Sequence, residues 1–408
     1  MMLTGLPPAL AAAAVASPPA LPDASSEGVD REKYWNRIRG EQFFLPPGRI
    51  FLNNGSLGVA PKVVVRAVAD YLELGAALLG PNGEYPRWGY ETLDQHRAIV
   101  ADYVGCAKED LAFTHNATEA LSTIAAGIDL QAGDEVVMTD LEHPSGQAGW
   151  HVRRARHGIA IREVKIPMPP SGPDQLADLT ISAIGPRTRV LFFSGILSST
   201  GTVMPVRRIC DAARAKGVIT VVDGAHMNGQ LPMRIDELGC DYYAGSPHKW
   251  MFAPAGCGIL SGRREMLAKL WPTNVTGGWD RKDAGAARFM FVGTNNRAIF
   301  EGLVAGVKFA NAIGKERIFA RIHALARQIR ERAAGLDYLQ LATPADERLY
   351  GSLVAFAMPG IDRQKFGRLC AERKIWFGGG ERIRISAHIH TRPSDIDMLF
   401  ATLAESRV

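Results

Sequence analysis

Three side chains able to take part in amine chemistry lie at the ends of apolar segments near the middle of the sequence. Lys249 lies in the peptide SPHKW, inside an apolar, small-residue stretch (242–260) where packing gives no reason to place a lysine. Asp223 ends the strand-like part of the run VITVVDG, and Thr118 opens a helical pattern soon after the run LAFTH. Burial lowers the pKa of an amine, which makes it a nucleophile near neutral pH. The sequence therefore predicts a reactive lysine accompanied by a carboxylate and a helix start.

The predicted ends of strands bring these residues together. In a doubly wound sheet the carboxyl ends of the strands face the ligand crevice, so Asp223 is expected to direct its carboxylate into it. Lys249 follows the strand-like run DYYAG and can reach the same crevice. A helix start offers free N–H groups and the positive end of the helix dipole, which bind anions. We expect Asn116, Ala117 and Thr118 to supply N–H and hydroxyl donors to a phosphate there.

An amine on a turn, an acid at a strand end and a phosphate site at a helix start form the set that pyridoxal 5'-phosphate (PLP) requires. The amine forms the Schiff base, the acid keeps the pyridine nitrogen protonated, and the helix start binds the phosphate. Each residue also has a purely structural interpretation: Lys249 as a lysine extending out of a turn, Asp223 as part of an Asp-Gly turn, and Thr118 as an N-cap. Capping and phosphate binding are compatible, and the combination favours PLP as the cofactor.

Alternating elements along the chain are expected to position this set. From about residue 60 to 275, short β-rich runs alternate with helical patterns, which predicts an α/β domain with a mainly parallel, helix-covered sheet. A long helical pattern then covers 297–334, with Gly314 as the candidate break, and the mixed runs after it predict a smaller α+β domain. We divide the chain into a disordered or signal-like segment (1–28), an N-terminal arm packing with the small domain (29–60), a large PLP-binding domain (61–280) and a small C-terminal domain (281–408).

The chain resembles the class V family of PLP-dependent aminotransferases, which has fold type I. It is nearest to the isopenicillin N epimerase-like branch, in a superfamily that includes cysteine desulfurase-like enzymes. The resemblance covers roughly residues 50–400 and implies a large domain with a mainly parallel seven-stranded sheet flanked by helices. The matching stretches, in the family's order, are FLNNGSLG (51–58), NATEAL (116–121), LEHPSG (141–146), VVDGAHMNGQLP (221–232), SPHKW (246–250), GTNN (293–296) and RIRIS (382–386).

The resemblance implies a role for each matching residue around the cofactor ring. Lys249 would form the Schiff base, Asp223 would pair with the pyridine nitrogen, and His143 would stack on the ring face. His226 would hydrogen-bond the phenolic oxygen of the ring. Arg384 would hold the substrate carboxylate as a bidentate fork. Lys249, Asp223 and His143 are therefore the expected catalytic residues.

The resemblance also implies further cofactor and substrate contacts. Thr294 would reach the phosphate of the neighbouring subunit, which implies a homodimer with active sites at the subunit interface. Asn53 or Asn54 would line the substrate side, and Ser198 lies where many relatives place an active-site polar residue. The remaining phosphate contacts are expected from Thr118, Ser246, His248 and the Ala117 backbone, beside Asn116 at the helix start.

Several neighbouring residues offer alternatives. Arg382 lies two positions from Arg384 on the same strand face, and the RIS match favours Arg384. His388 and His390 form an H-x-H that is half of a metal site, but no third ligand is suggested, so no metal is expected. The glycines 378–380 lack the lysine and helix context of a phosphate loop, so a flexible turn near the substrate mouth is expected.

The same apparatus serves three reactions once the proton on the substrate α-carbon is removed. Reprotonation at that carbon from the opposite face gives epimerisation, reprotonation at the cofactor gives transamination, and loss of a β-leaving group gives a lyase reaction. The resemblance favours an epimerase or β-lyase acting on an amino acid or amino-acid derivative, with an aminotransferase as the alternative. A catalytically silent PLP-fold binding protein is the non-enzyme alternative, and the presence of both Lys249 and Asp223 argues against it.

Two other functions are disfavoured by what the sequence lacks. Cysteine desulfurases need a mobile, exposed cysteine near the substrate arginine, whereas the stretch AERKIWFGGGERIRIS has none and Cys370 precedes it in a helical pattern. Persulfide transfer is therefore not expected. A nucleotide-binding α/β protein is disfavoured because neither a GxGxxG motif nor a Walker loop is present.

The composition of the chain argues against several other classes of protein. The chain has 408 residues, 47% of them hydrophobic and 22% charged, with a net charge of +5 and no run of Lys or Arg. Nucleic-acid binding is therefore not expected, and no stretch after the N-terminus has the ~18 continuous apolar residues of a membrane helix. Five scattered cysteines suggest neither a zinc site nor a disulfide framework.

The first 28 residues differ from the rest. They are rich in Ala and Pro, and the run LAAAAVAS resembles the apolar core of a signal peptide, with Ala14-Val15-Ala16 as a cleavage site. A signal peptide also needs a positive start, and no basic residue precedes Arg31. Two interpretations stay open: a retained disordered tail in a cytoplasmic protein, or the remnant of a leader in an exported, periplasmic one.

Overall fold

The computed structural model of the protein describes residues 21–22, 31–78 and 92–408. The signal-like interpretation of residues 1–28 concerns residues almost wholly outside these ranges. In the described chain the α-helices are α1 (Arg31–Gln42), α2 (Lys62–Leu78), α3 (Asp94–Val104), α4 (Ala117–Gly127), α5 (Pro144–His157), α6 (Pro173–Ser182), α7 (Val206–Ala215), α8 (Pro247–Trp250), α9 (Arg264–Leu267), α10 (Ala298–Ile313), α11 (Lys315–Ala334), α12 (Arg363–Glu372) and α13 (Pro393–Glu405). The strands are β1 (Ile50–Leu52), β2 (Leu111–Thr114), β3 (Glu135–Thr139), β4 (Ala160–Val164), β5 (Thr188–Ser194), β6 (Ile219–Asp223), β7 (Tyr242–Gly245), β8 (Gly258–Gly262), β9 (Gln340–Leu341), β10 (Leu353–Ala357), β11 (Ile375–Gly379) and β12 (Arg382–Ser386).

The larger sheet of the described chain has seven strands in the order β2-β8-β7-β6-β5-β3-β4. Only β8 runs against its neighbours, and all other pairs are parallel. Strands β2 (LAFT) and β3 (EVVMT) are buried at every position, as expected for a sheet covered on both faces. The prediction of an α/β protein with a mainly parallel seven-stranded sheet is confirmed.

The register of this sheet places three strand ends side by side. Ser194, the last residue of β5, lies opposite Asp223, the last residue of β6, and Asp223 lies opposite Ala244 of β7. Parallel strands share one carboxyl edge, so the side chains that follow them meet there. Helix α8 leaves this edge directly after β7, and α4 leaves it after β2.

A second sheet of five described strands has the order β1-β11-β12-β10-β9. Strand β1 pairs in parallel with β11, so Ile50 lies opposite Ile375, whereas the other pairs are antiparallel. The segment expected as an N-terminal arm thus contributes a strand to the C-terminal sheet. Its helix α1 contributes Tyr34 and Trp35 to the hydrophobic core of the larger sheet, so the arm connects the two cores.

The helical pattern over 297–334 forms two helices. Gly314 lies between α10 and α11 with φ at 100°, a value that glycine adopts without steric cost and other residues rarely do. Helix α10 packs against α2 and α3, and α11 packs against β9 and β10. The break at Gly314 therefore separates α10, which packs in the core of the larger sheet, from α11, which runs from that core at Ile318 to the core of the smaller sheet at Ile329. Among the helices of the described ranges, none is both long and apolar enough to span a bilayer.

Candidate active site

A cavity of about 260 Å³ opens where the carboxyl ends of β5 and β6 meet the starts of α4 and α8 and strand β12. Most of the residues predicted from the sequence line this one cavity. They are Asn116, Ala117, Thr118, His143, Ser198, Asp223, His226, Ser246, His248, Lys249 and Arg384.

Lys249 lies on the single-turn helix α8, whose first residue is Pro247. Proline suits this position because the first N–H of a helix has no helical partner in any case. The Nζ atom lies 3.1 Å from Nε2 of His226. Burial lowers the pKa of Lys249 to about 8; the charge of Asp223 opposes this shift and that of Arg384 adds to it. A substantial fraction of the amine is therefore neutral near physiological pH, as a nucleophile or general base requires.

The loop after β1 holds the backbone of this lysine. The side-chain amide of Asn54 donates to the Lys249 carbonyl oxygen at 2.6 Å, and the Gly58 N–H donates to the His248 carbonyl oxygen at 2.8 Å. A Cβ atom on Gly58 would lie 2.2 Å from the Lys249 oxygen. Only glycine lets the loop approach this closely, which explains the end of the FLNNGSLG stretch.

Asp223 is buried at the end of β6, with 6% of its surface exposed. The Ala225 N–H donates to Oδ1 at 2.9 Å. Burial raises the pKa of Asp223, while the Ala225 hydrogen bond and the charge of Lys249 act in the opposite direction. A cation placed against this carboxyl group would favour its ionised form, so the position suits a protonated ring nitrogen.

The start of α4 has the features of an anion site. Asn116 is the N-cap residue, and its Oδ1 accepts a hydrogen bond from the Glu119 N–H at 2.8 Å. The Ala117 N–H donates to the Ser246 hydroxyl at 3.3 Å, which joins the start of α4 to the start of α8. Thr118 adds an exposed hydroxyl in the first turn. The positive end of the helix dipole and these donors would bind a phosphate.

Two further contacts shape this end of the cavity. A Cβ atom on Gly258 of β8 would lie 2.4 Å from the Thr114 hydroxyl and 2.5 Å from the carbonyl carbon of Asn116, so the close approach requires glycine. His248 Nδ1 lies 2.7 Å from the Cys257 carbonyl oxygen. That oxygen can only accept, so Nδ1 carries the proton and Nε2 of the neutral ring is left as an acceptor.

Arg384 lies on β12 at the opposite side of the cavity. Its guanidinium donates to the Ser56 hydroxyl at 2.6 Å and to the Ser198 carbonyl oxygen at 3.4 Å, while its Nε is buried with no hydrogen-bond partner. Burial lowers the pKa of Arg384. A half-buried guanidinium with only neutral partners is an incomplete arrangement, and a carboxylate ligand would complete it. Arg382, the alternative on the same strand, does not line the cavity.

The glycines before Arg384 are part of a strand. Gly378 and Gly379 are the last residues of β11 and pair with Arg384 and Ile383, so the expected flexible turn is confined to Gly380 and the residue after it. A Cβ atom on Gly378 would lie 3.1 Å from one terminal nitrogen of Arg384. The absence of a side chain there gives the guanidinium its space.

His143 is the exposed N-cap residue of α5, at the cavity mouth. Its Nδ1 accepts a hydrogen bond from the Ser145 N–H at 3.2 Å, which leaves the proton of the neutral ring on Nε2. Partial desolvation of the ring lowers the pKa of His143, and the charge of Lys249 acts in the same direction. The ring is therefore neutral near pH 7, as stacking and proton transfer both allow.

A buried acid beside His143 was missed from the sequence. Glu142 accepts hydrogen bonds from the Thr139 hydroxyl at 2.6 Å and the Ser194 hydroxyl at 2.5 Å, and Ser194 lines the cavity. Burial raises the pKa of Glu142 to about 7, with both hydrogen bonds opposing the shift. The available signal was an acidic residue between a buried strand and a helix start, where a solvated loop residue is more usual.

Three predicted site residues do not line the cavity. Asn53 reaches it indirectly, because its Oδ1 accepts a hydrogen bond from Ser56, which in turn bonds Arg384. Asn54 is turned towards the Lys249 backbone, and Thr294 is exposed elsewhere on the surface. Gly55 and Ser56, the residues after the two asparagines, provide the lining instead.

The H-x-H histidines lie behind the site. His388 and His390 are buried, and their rings stack with centroids 5.9 Å apart. His388 also stacks on Trp250 at 5.8 Å. Within the described ranges no group of three or more His, Cys, Asp or Glu side chains is placed to hold a metal ion.

The donor set of the cavity fits PLP. A partly neutral amine, a buried acid lacking a cation, an imidazole near the amine and a helix start with free donors correspond to the aldehyde, pyridine nitrogen, phenolic oxygen and phosphate of that group. The unpartnered Nε of Arg384 provides a separate position for a substrate carboxylate.

Comparison with known proteins agrees with this geometry. A family model described as aminotransferase class-V matches residues 50–398. Isopenicillin N epimerase of Amycolatopsis lactamdurans is 33% identical over 395 residues, which cover 91% of this chain and 98% of that protein. Probable cysteine desulfurase 2 of Mycobacterium leprae is 27% identical over 361 residues and 83% of each chain.

Solved structures show the same fold. The cystine C-S lyase C-DES, in complex with its reaction product cysteine persulfide, superposes with a TM-score of 0.79 at 25% identity, over 89% of this chain and 99% of that one. A C-DES mutant with glycine covalently linked to its PLP cofactor gives a TM-score of 0.80. The fold type I architecture expected from the sequence is thereby confirmed.

Proposed function

Because the chain belongs to the class V aminotransferase family of PLP-dependent enzymes, we propose that it acts at the α-carbon of an amino acid and inverts its configuration. The observation that carries this proposal is the shared cavity. The Lys249 amine lies on one side, and on the other the buried, unpartnered Nε of Arg384 offers a position for a carboxylate. These groups can hold an amino acid by its carboxylate and move the proton on its α-carbon.

The proposed residues for the cofactor follow from the donor set. Lys249 would bind the aldehyde of PLP, Asp223 the ring nitrogen and His226 the phenolic oxygen, with His143 at the ring face. The phosphate would be bound by donors from Asn116, Ala117, Thr118 and Ser246, and by His248 through Nε2 when that nitrogen is protonated. When bound, PLP supplies an electron sink that acidifies the α-carbon of an attached amino acid.

The chain's own groups would then move the proton. The free amine of Lys249 would take the α-proton of the substrate as a general base, and its lowered pKa suits that role. Inversion requires a proton donor on the opposite face. His143 is the candidate, because its ring is neutral and carries the proton on Nε2 at the cavity mouth.

The positions of the cysteines favour epimerisation over desulfuration. All five lie in the described part of the chain, none lines the cavity, and four are buried. Cys370 is on α12, where burial raises the pKa of its thiol to about 12. A persulfide-accepting thiolate would need the opposite, an exposed cysteine of low pKa.

A β-lyase is the second candidate, favoured by the structural similarity to a cystine C-S lyase. That reaction needs the same lysine and arginine but no acceptor cysteine, so the cavity serves it equally. Aminotransferase activity is the remaining alternative within the family.

Covalent attachment of the cofactor is tested first. Borohydride reduction of the PLP-loaded protein followed by peptide mass analysis is expected to find the pyridoxyl adduct on Lys249. An adduct on another lysine, or none, contradicts the assignment of the site.

The reaction is tested with a panel of D- and L-amino acids in D2O. Epimerisation predicts deuterium at the α-carbon together with the opposite enantiomer, and no keto acid. Pyruvate and ammonia would instead identify a lyase, and a keto acid formed with amination of an added acceptor would identify an aminotransferase.

A homodimer is a further part of the proposal. Thr294 is exposed and lies outside the lining of its own cavity, as a residue that completes the partner's phosphate site would. Sedimentation is expected to show a dimer, and Thr294→Ala to weaken PLP retention without changing the sedimentation coefficient. A monomer that retains PLP fully would contradict this role.

A further inference from the structure

One histidine of the site is contacted by two nitrogen atoms from adjacent residues. The indole Nε1 of Trp250 lies 3.3 Å from Nδ1 of His226, and Nζ of Lys249 lies 3.1 Å from Nε2 of the same ring. Trp250 is fully buried and His226 is 4% exposed. The single-turn helix α8 thus presents two consecutive side chains to opposite nitrogens of one imidazole.

The indole determines where the proton of this imidazole lies. An indole N–H can only donate, so Nδ1 of His226 must be the unprotonated, accepting nitrogen. Burial lowers the pKa of His226 well below its usual value, with the charges of Lys249 and Arg384 acting in the same direction, so the ring is neutral. The single proton of a neutral ring with an accepting Nδ1 lies on Nε2.

The Nε2-protonated tautomer of His226 interacts differently with the neutral amine and with the ammonium form of Lys249. The Nε2–H of His226 is directed at Nζ of Lys249, where a neutral amine offers a lone pair and an ammonium group offers none. A protonated Lys249 would place two donors against each other. The same Nε2–H is also the donor that the predicted contact of His226 with a phenolic oxygen requires.

We propose that Trp250 is a positioning residue: its indole N–H holds His226 in the Nε2-protonated tautomer and thereby favours the neutral, nucleophilic form of the Lys249 amine. This inference rests on the proposed function only in taking Lys249 as the reactive amine. Trp250 itself does not line the cavity, so it acts through His226.

The indole is held so that it cannot easily turn away. His388 stacks on it with ring planes 26° apart. The Ile389 N–H donates to His388 Nδ1 at 2.9 Å, so Nε2 of His388 carries the proton and donates to the Trp250 carbonyl oxygen at 3.4 Å. A Cβ atom on Gly229 would lie 2.4 Å from that oxygen. The H-x-H histidine therefore supports the tryptophan rather than a metal.

Other charges around Lys249 act on the same equilibrium. Asp223 favours the ammonium form, whereas burial and Arg384 favour the neutral amine. The titratable groups that face the amine are Asp223 at the end of β6, Arg384 on β12, His143 at the start of α5, His226 after β6 and His248 on α8. The Trp250 effect adds to that of burial and is measured as a change in the apparent pKa of one amine.

The test uses the full-length apoprotein and formaldehyde with cyanoborohydride as the probe. The rate of Lys249 methylation, followed by peptide mass analysis across pH, reports the fraction of neutral amine. Trp250→Phe is expected to raise the apparent pKa, giving a roughly fivefold slower reaction near pH 7 and an unchanged plateau at high pH. Trp150→Phe, a change of another tryptophan that is 1% exposed, is expected to leave the profile unchanged.

A double-mutant cycle tests whether Trp250 acts on Lys249 through His226. In a His226→Leu background, which has no ring nitrogen to hold, Trp250→Phe is expected to leave the apparent pKa of Lys249 unchanged. The same shift in that background, an equal shift in Trp150→Phe, or no shift in the single variant would overturn the proposal.

A second measurement does not depend on a variant that must fold. In the wild-type apoprotein labelled with 15N-histidine, NMR is expected to show an unprotonated Nδ1 and a protonated Nε2 for His226, and the opposite tautomer would overturn the proposal. These experiments use no PLP. Failure of the proposed function would show as a missing pyridoxyl adduct, whereas failure of this inference would show as an unchanged methylation profile.

Discussion

The two sides of the cavity are stabilised in different ways. On the lysine wall, formed by Lys249, His226 and Trp250, each side-chain nitrogen has a partner within the protein. On the arginine wall, formed by Arg384, Ser56 and Ser198, a half-buried guanidinium has neutral partners and one buried nitrogen with none.

We therefore expect the lysine wall to prepare the reactive amine and the arginine wall to bind the ligand. Hydrogen bonds that are complete before substrate arrives fix the protonation state of Lys249 and cost no reorganisation during the reaction. The arginine wall instead has a guanidinium nitrogen without a hydrogen-bond partner, and a bound carboxylate would supply that partner. Changes to the lysine wall should therefore alter chemistry, and changes to the arginine wall should alter affinity.

The largest expected effect is that of Lys249→Ala. Loss of the attachment point and of the general base is expected to lower kcat by roughly 10³-fold or more. Steady-state kinetics with PLP in excess measures this. A residual rate within tenfold of wild type would mean that another group removes the α-proton.

Arg384→Ala is expected to lower kcat/KM roughly 10- to 100-fold, mainly through a higher KM, because a charged hydrogen-bond partner of the carboxylate is lost. Arg384→Lys should recover part of the loss, since the charge remains and the fork does not. Arg382→Ala is the matched control on the same strand and is expected to be near wild type. An effect on kcat alone would contradict the division between the two walls.

Lys249→Met is expected to stabilise the apoprotein. The folded-state pKa of Lys249 is about 8, against a usual value of 10.5, so between these values the unfolded chain binds more protons and stability rises with pH. Well below pH 8 the full penalty is present, and its removal is expected to add about 3 kcal/mol to the free energy of unfolding at pH 7.

Urea unfolding of the two apoproteins measures this gain, and the gap is expected to shrink as the pH approaches 10. Lys269→Met, which changes an exposed lysine, is the control and should have little effect at either pH. A gain that does not change with pH would show that added apolar surface, and not the buried amine, is responsible.

The smallest expected effect distinguishes the two asparagines. Asn54→Ala removes the hydrogen bond to the Lys249 carbonyl and is expected to cost about 1–2 kcal/mol of stability, with a lower kcat. Asn53→Ala should cost less than about 0.5 kcal/mol, because Asn53 is only half-buried and bonds an exposed Ser56. Thermal unfolding and kinetics of both variants check the difference, and equal effects would count against it.

The sheet was predictable from sequence because its strands are buried on both faces. Runs such as LAFT and VVMT then appear as uninterrupted apolar segments. The polar residues that end β5 and β6, Ser194 and Asp223, line the cavity. The same rule predicts that Asp223 and Lys249 lie close together. The break at Gly314 was predictable for a different reason. An isolated glycine in a helical pattern often marks the end of a helix.

Other parts of the site depend on tertiary contacts that no local pattern contains. Asn53 and Asn54 are adjacent, and only the turn after β1 determines that neither faces the cavity while Ser56 does. The acid Glu142 is explained by two hydroxyls from β3 and β5 that local sequence does not bring together. The sequence around Gly378 predicts a turn, whereas the structure places this glycine in a strand. A glycine is needed there because the guanidinium of Arg384, on the neighbouring strand, occupies the space of a side chain.

The pairing of β1 with β11 has a consequence for biosynthesis. Asn54 and Gly55 bond through their N–H groups to Ser386, near the C-terminus, while Asn54 also holds the lysine backbone. The loop after β1 must therefore wait until Ser386, 331 positions after Gly55, has been synthesised before the backbone of the reactive amine is held in place. We therefore expect PLP to bind only after the strands of the smaller sheet have been synthesised.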